Sequence, residues 1–376
     1  MIVSHLPFGN IAEPRRYTVI VPALDVTGPV NVAVDLAREA SRRGWLVALL
    51  YLTEGGTRKD TQFANSIRKF KASDLFRLRG IVHTHCLRPD ILGWLISWNR
   101  RCVLVTTLHN FLKLDISFDY RPWQVWLAWN LWRKALRRYD HVVCISNAMK
   151  RYYERMMPWR AFELARNFRD PANAPLPASI QDWVAEQRAH GRIVLAYAGS
   201  LSPRKNIHAL VDAVTRIDHI SLLVCGSGPE AAALSARSRS DTLGGRLHLA
   251  GQLPSVSAAI SIADALVLPS FAEGFPLVVI EAASTGRPTL MSNIAVHREL
   301  AQLGFGSTFN HRTFANFETR IDALLKIHPA PDAALQTLWR NEYTSKAGFT
   351  RYEAIFDLGT DTGNALSARQ TPSTLL

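Results

Sequence analysis

Two glutamates, Glu273 and Glu281, stand eight positions apart in FAEGFPLVVIEAASTGRP, residues 271–288. A carboxylate is acceptor-only and offers two oxygens. One such group can hold the two hydroxyls of a ribose, and a second the hydroxyls of a sugar. Between them Pro276 suits the first turn of a helix, where its missing N–H would have had no partner. The N–H groups that follow, on Leu277 and Val278, are free to meet a phosphate or carboxylate. Spacing alone leaves a plainer reading open, with Glu273 a solvated loop acid and Glu281 a surface helix acid. Lys205 in AGSLSPRKN (198–206) is in the same position: a lysine in a surface turn is usually just solvated. The glycines of CGSGPE (225–230), Gly226 first among them, permit a tight turn and close backbone approach. His83 and His85 in VHTHC are weak metal candidates, since zinc wants three or four converging groups. The alternation of a strand is read as sending one to a cleft and the other to the sheet's far side. No DxD occurs, and no metal is expected.

These residues need a scaffold, and the hydrophobic pattern supplies one. YTVIVPAL (17–24), a helical stretch over 28–44 and WLVALLYL (45–52) read as strand, helix, strand, the unit of a parallel sheet. The pattern continues through strands at 80–86, 102–110 and 141–146, with helices near 89–99 and 122–138. FRDPANAPLPAS (168–179) carries three prolines and reads as a linker. A second series follows, with strands at 192–199, 221–226, 246–251, 265–270 and 288–292. Its helices are predicted at 205–217, 229–238, 276–285, 313–327 and 332–345. The fold class is therefore α/β, with two Rossmann-like doubly wound domains facing across a cleft. The expected division is 1–175, then 176–345, then a C-terminal helix over 346–358 packing back on the first domain, then a flexible tail over 359–376. Ligands of such sheets bind at the carboxyl ends of the strands.

Charge is divided as sharply as the fold. Residues 1–170 hold 27 Lys and Arg against 14 Asp and Glu; residues 171–376 hold 17 of each. One half carries the whole net charge of +13 and should attract anionic surfaces. In it, 93–101 and 121–138 combine tryptophans with arginines and lysines, Trp123, Trp126, Trp129 and Trp132 falling three apart. Such a helix suits an anionic membrane interface, or else forms a tryptophan core stripe with a solvated basic edge. Four scattered cysteines without a CxxC pair read as reduced thiols, and Met1–Arg16 lacks the form of a signal peptide. The expected setting is cytoplasmic, peripheral on the inner face of the plasma membrane.

The acid-flanked stretch resembles the E-x7-E motif of retaining glycosyltransferases of family 4, which have the GT-B fold. Gly274, Phe275 and Pro276 match the usual EGFP. The resemblance implies that Glu273 contacts the donor sugar and Glu281 the nucleotide ribose, and that Lys205 meets the donor diphosphate. Ser200 stands where the family has an arginine, with Arg204 nearby as a helper for the diphosphate, and Asn206 replaces a glycine. TLHN (107–110) resembles the motif whose histidine faces the cleft and touches the donor sugar, which is His109 here. Gly28 resembles the family's glycine-loop residue, Asn167 matches the Asn of V-I-x-N-G with Phe168 for its Gly, and Glu299 matches an acid whose usual place is structural.

The implied reaction transfers a hexose-type sugar from a UDP- or GDP-sugar, a substrate rather than a cofactor, to a hydroxyl of a glycan or lipid-linked acceptor in cell-surface polysaccharide assembly. Lys205 and the amides at 276–278 would meet the leaving phosphate; His109 and Glu273 would orient the sugar. Rival readings are another nucleotide-sugar enzyme of the same fold, such as an epimerase, or a catalytically inactive relative. A nucleic-acid binder has only charge in its favour, and no nucleic acid is expected.

Overall fold

The computed structural model describes residues 14–55, 60–99, 101–118, 120–239 and 243–367, of which 359–367 by backbone. The apolar runs of the first half become strands β1 (Arg16–Val21), β2 (Leu46–Tyr51), β3 (Ser66–Lys69), β4 (Gly80–His85), β5 (Cys102–Leu108), β6 (His141–Cys144) and β7 (Glu163–Leu164). Those of the second half become β8 (Ile193–Ala198), β9 (Ile220–Cys225), β10 (Leu247–Gly251), β11 (Ala265–Leu268), β12 (Thr289–Ser292) and β13 (Gly306–Phe309). Two parallel sheets result, in the orders β3-β2-β1-β4-β5-β6-β7 and β10-β9-β8-β11-β12-β13. Strand order reverses between β1 and β4 in one sheet and between β8 and β11 in the other, the crevices where open α/β sheets take ligands. Central strands such as β9 and β11 are buried throughout, as helices on both faces require.

Three edge strands, β3, β7 and β13, escape the sequence pattern. Their residues (SIRK, EL, GSTF) are half-exposed, so they carry no continuous apolar run. The expected helix 276–285 is observed over Leu277–Ser284, with Pro276 at its N-cap. The C-terminal helix expected over 346–358 is observed over Ser345–Ser367, so it runs on into the first residues of the stretch expected to be a flexible tail; 368–376 lie outside the described residues.

The second sheet's chain returns to the first. Phe349, Tyr352 and Phe356 of helix Ser345–Ser367 are buried in one cluster with Tyr17, Trp45 and Phe168. Arg43 pairs with Glu353 and Arg15 with Asp357 along the same seam. The proline-rich crossing is pinned where it begins: the Arg169 N–H donates to Tyr343 O at 2.9 Å, and Trp339 Nε1 donates to Arg169 O at 2.9 Å. A second tie is electrostatic. Glu299 of the second half accepts from the Asn147 and Ala148 N–H groups at 3.0 and 2.8 Å, capping helix Asn147–Met156 of the first half.

Candidate active site

The second-half residues converge because their strands are neighbours. Lys205 follows β8 and Glu273 follows β11, which pair side by side at the reversal point. Their side chains form an ion pair, and Ser270 Oγ donates to the same Glu273 Oε1 at 2.7 Å. Arg204 Nη1 is 3.8 Å from Glu273 Oε2. Glu273 is buried, and burial alone would raise its pKa; Lys205 first, then Arg204, hold it down at about 2. It is therefore an anion at neutral pH. A buried anion and cation in contact make one polar unit, beside which a sugar and its phosphate can lie as neighbours.

The EGFP loop carries this unit to the first half. A Cβ on Gly274 would sit 2.0 Å from the backbone oxygen of His109, so only glycine fits. Asn167 Nδ2 donates to Phe275 O at 2.8 Å, and the Phe275 ring stacks on Tyr343. The hydrogen-bonded ladder of helix Leu277–Ser284 leaves its first N–H groups, those of Leu277 and Val278, at the cleft end.

His109 follows β5, and its Nε2 lies 2.8 Å from His85 Nδ1 at the end of β4. Burial lowers the His109 pKa to about 3, so the ring is neutral. The expectation that His83 and His85 face opposite sides is corrected. Residues i and i+2 of a strand share a face, and the two rings lie 4.2 Å apart. Among the described residues no cluster of three or more His, Cys, Asp or Glu is arranged to hold a metal ion.

The remaining predicted residues are placed as follows. Gly226 packs its backbone on Gly199, whose oxygen would be 1.9 Å from any Cβ at 226, so this glycine joins two loops of the protein itself. Gly28 opens helix Gly28–Arg42, with nothing within 4 Å of a Cβ there. The exposed Ser200 has its hydroxyl 3.5 Å from that of Ser202. Arg204 donates to Ala272 O at 2.6 Å and lies 3.3 Å from Asp115, so it bridges the halves. Glu281 is held by Arg169 at 3.2 Å, and Arg169 also holds Asp35 of helix Gly28–Arg42 at 3.0 Å. Burial raises the Glu281 pKa, with Arg169 pulling it back. Nothing in the spacing singled out Asp35 or Arg169, which lie 134 residues apart in the chain.

Two family models match in tandem: "Glycosyltransferase Family 4" over residues 26–172 and "Glycosyl transferases group 1" over residues 180–335. The chain belongs to the glycosyltransferases of GT-B fold. An O-antigen biosynthesis glycosyltransferase, WclY of Escherichia coli, is 25% identical over 76% of this chain and 82% of its own. A second Escherichia coli relative, UDP-Gal:alpha-D-GlcNAc-diphosphoundecaprenol alpha-1,3-galactosyltransferase, is 27% identical over 57% of this chain and 58% of its own. Among solved structures, Anabaena Alr3699/HepE in complex with UDP superposes with a TM-score of 0.71 at 15% identity, over 91% of this chain and 100% of that one. This last likeness is one of fold.

Proposed function

We propose that this GT-B glycosyltransferase retains anomeric configuration and moves a hexose-type sugar from a UDP- or GDP-sugar, without a metal, to a hydroxyl of a glycan or lipid-linked acceptor in cell-surface polysaccharide assembly. The observation that carries the reading is the meeting of the Lys205–Glu273 pair with His109 through Gly274. Lys205, with the Leu277 and Val278 amides, offsets charge growing on the leaving phosphate. His109 and the Glu273 carboxylate hold the sugar's hydroxyls, which fixes the reacting carbon. Glu281, already aligned by Arg169, takes the ribose. The names of the two Escherichia coli relatives support the polysaccharide setting, and one of them specifies a UDP-sugar and a diphosphoundecaprenol-linked acceptor.

The test is calorimetric binding and slow hydrolysis over a panel of UDP-, GDP- and ADP-sugars, with chelator present. One donor should bind and be hydrolysed by the native chain, and Glu273→Ala should abolish both. Failure of every donor to bind would sink the reading.

We also propose that the protein is cytoplasmic and attaches by its basic half to the inner face of the plasma membrane. Helix Pro122–Leu136 does not form a single tryptophan stripe. Asp90, buried and pushed up to about pH 6 by burial, accepts from Trp132 Nε1 at 2.9 Å and so fixes the helix's rotation. Trp129 and Trp132 then face the core, while Trp123 and Trp126 are 61% and 66% exposed. Leu127, Leu131 and the neighbouring Trp98 are exposed too, with Lys134 and Arg138 beside Trp94 and Trp98. Arg100 of the same basic segment lies outside the described residues. Among the described residues no helix is long and apolar enough to cross a membrane. Exposed aromatics rimmed by cations fit a bilayer interface with anionic headgroups, each cation adding about 1 kcal/mol near the surface. Sedimentation with phosphatidylglycerol vesicles should retain the native chain and lose Trp123→Ala/Trp126→Ala. Equal retention of both would reject this face.

A further inference from the structure

The two ring nitrogens of His85 have unlike surroundings. Nδ1 meets His109 Nε2 at 2.8 Å, whereas Nε2 is buried and finds no hydrogen-bond partner among the described residues. The ring cannot easily turn to improve this. Its centre lies 4.2 Å from that of the His83 ring, tilted by 35°, and His83 is fixed by Tyr17 at 2.8 Å and by Thr107 at 2.8 Å. Thr107 is in turn 3.0 Å from Tyr352 on the C-terminal helix. His85 is fully buried, and burial holds both His85 and His109 neutral.

One proton must lie between the two rings, and each neutral ring carries one N–H. If His109 Nε2 were the donor, His85 would carry its own proton on Nε2, as a buried N–H without an acceptor. If His85 Nδ1 is the donor, Nε2 is a bare lone pair. Orphaned buried N–H groups are rarer in proteins than under-satisfied acceptors. We infer that His85 Nδ1 donates to His109 Nε2, and that His85 is a positioning residue which leaves the His109 proton on Nδ1. His109 retains partial exposure, and Nδ1 is the nitrogen that His85 leaves unengaged. A donor at that atom recognises a ligand oxygen lone pair, a sugar hydroxyl under the reading proposed above, on which this assignment of the ligand rests.

The tautomers are read directly from 15N spectra of the histidine-labelled full chain at neutral pH, assigned with His85→Asn and His109→Asn. Protons on Nδ1 of both rings are expected; a proton on His109 Nε2 would overturn the inference. In turnover assays, His85→Phe keeps bulk but has no donor. It should lower kcat about tenfold, the scale of losing an orienting partner, with donor KM within about twofold. His85→Asn places an N–H near the old Nδ1 and should recover most of kcat. Native kcat in His85→Phe, or no recovery in His85→Asn, argues against positioning. If calorimetry finds no donor bound by the native chain, the transferase reading fails separately, and the spectra still decide the tautomer.

Discussion

Gly274→Ala is expected to lower turnover about a hundredfold, the scale at which displacement of a reacting group by about an ångström registers. The added methyl would lie 2.0 Å from His109 O, 2.9 Å from its carbonyl carbon and 3.1 Å from Ile145 Cδ1. The two nearest atoms are backbone, and the backbone at His109 runs straight out of β5, so moving the Ile145 side chain aside would not relieve the clash. Either the EGFP loop withdraws, taking Glu273 and Lys205 with it, or the two sheets part. Overpacking of this kind also costs about 1–3 kcal/mol of stability. Donor binding should suffer less than kcat, because Lys205, Glu281 and the start of helix Leu277–Ser284 all lie in the second half. Steady-state kinetics together with small-angle scattering distinguish the two displacements. A variant with native kcat and native dimensions would show that the halves do not need this contact.

How far the sequence reveals the molecule depends on the range of the interaction. Buried parallel strands such as LLVC and ALVL announce themselves, because both faces are covered and every position is apolar. Edge strands such as Ser66–Lys69 do not. The Glu273–Lys205 contact was half legible: each residue was singled out, each for a different part of a ligand, but their mutual pairing follows from β8 and β11 being neighbours. The Trp-rich helix shows the same limit. A spacing of three implies one slowly drifting stripe, and only the buried Asp90, contributed by another helix, decides that Trp129 and Trp132 turn inward while Trp123 and Trp126 turn out. Arg169 was invisible for the same reason, since its partners Asp35 and Glu281 come from two different sheets' helices. Local pattern gives the elements, and contacts between distant elements set the roles.

Lys205→Met should cost about 3 kcal/mol of stability at neutral pH, because breaking a buried pair leaves an uncompensated charge. Glu273 is 7% exposed, and Arg204 at 3.8 Å replaces only part of what Lys205 supplies. The pH dependence has a definite sign. In the native chain Glu273 titrates near 2, below its ordinary value of 4.5, so its ionised form contributes stability above the ordinary value, and that contribution is lost as pH falls towards 2. Without Lys205, burial dominates and the carboxyl protonates at higher pH. The gap between native and variant is therefore largest near neutrality and closes in acid. Urea unfolding at pH 7 and at about pH 3 measures it, and an equal gap at both would remove Lys205 as the cation that holds Glu273. Stability and function then separate in Lys205→Met/Glu273→Leu. Replacing both charges by apolar groups of similar size should restore most of the lost stability. It should not restore donor binding, since a sugar hydroxyl and a phosphate find no partners on two hydrocarbon side chains. If the double variant still bound donor, the pair would serve the fold alone, and binding would have to rest on the Leu277–Ser284 helix start and Glu281.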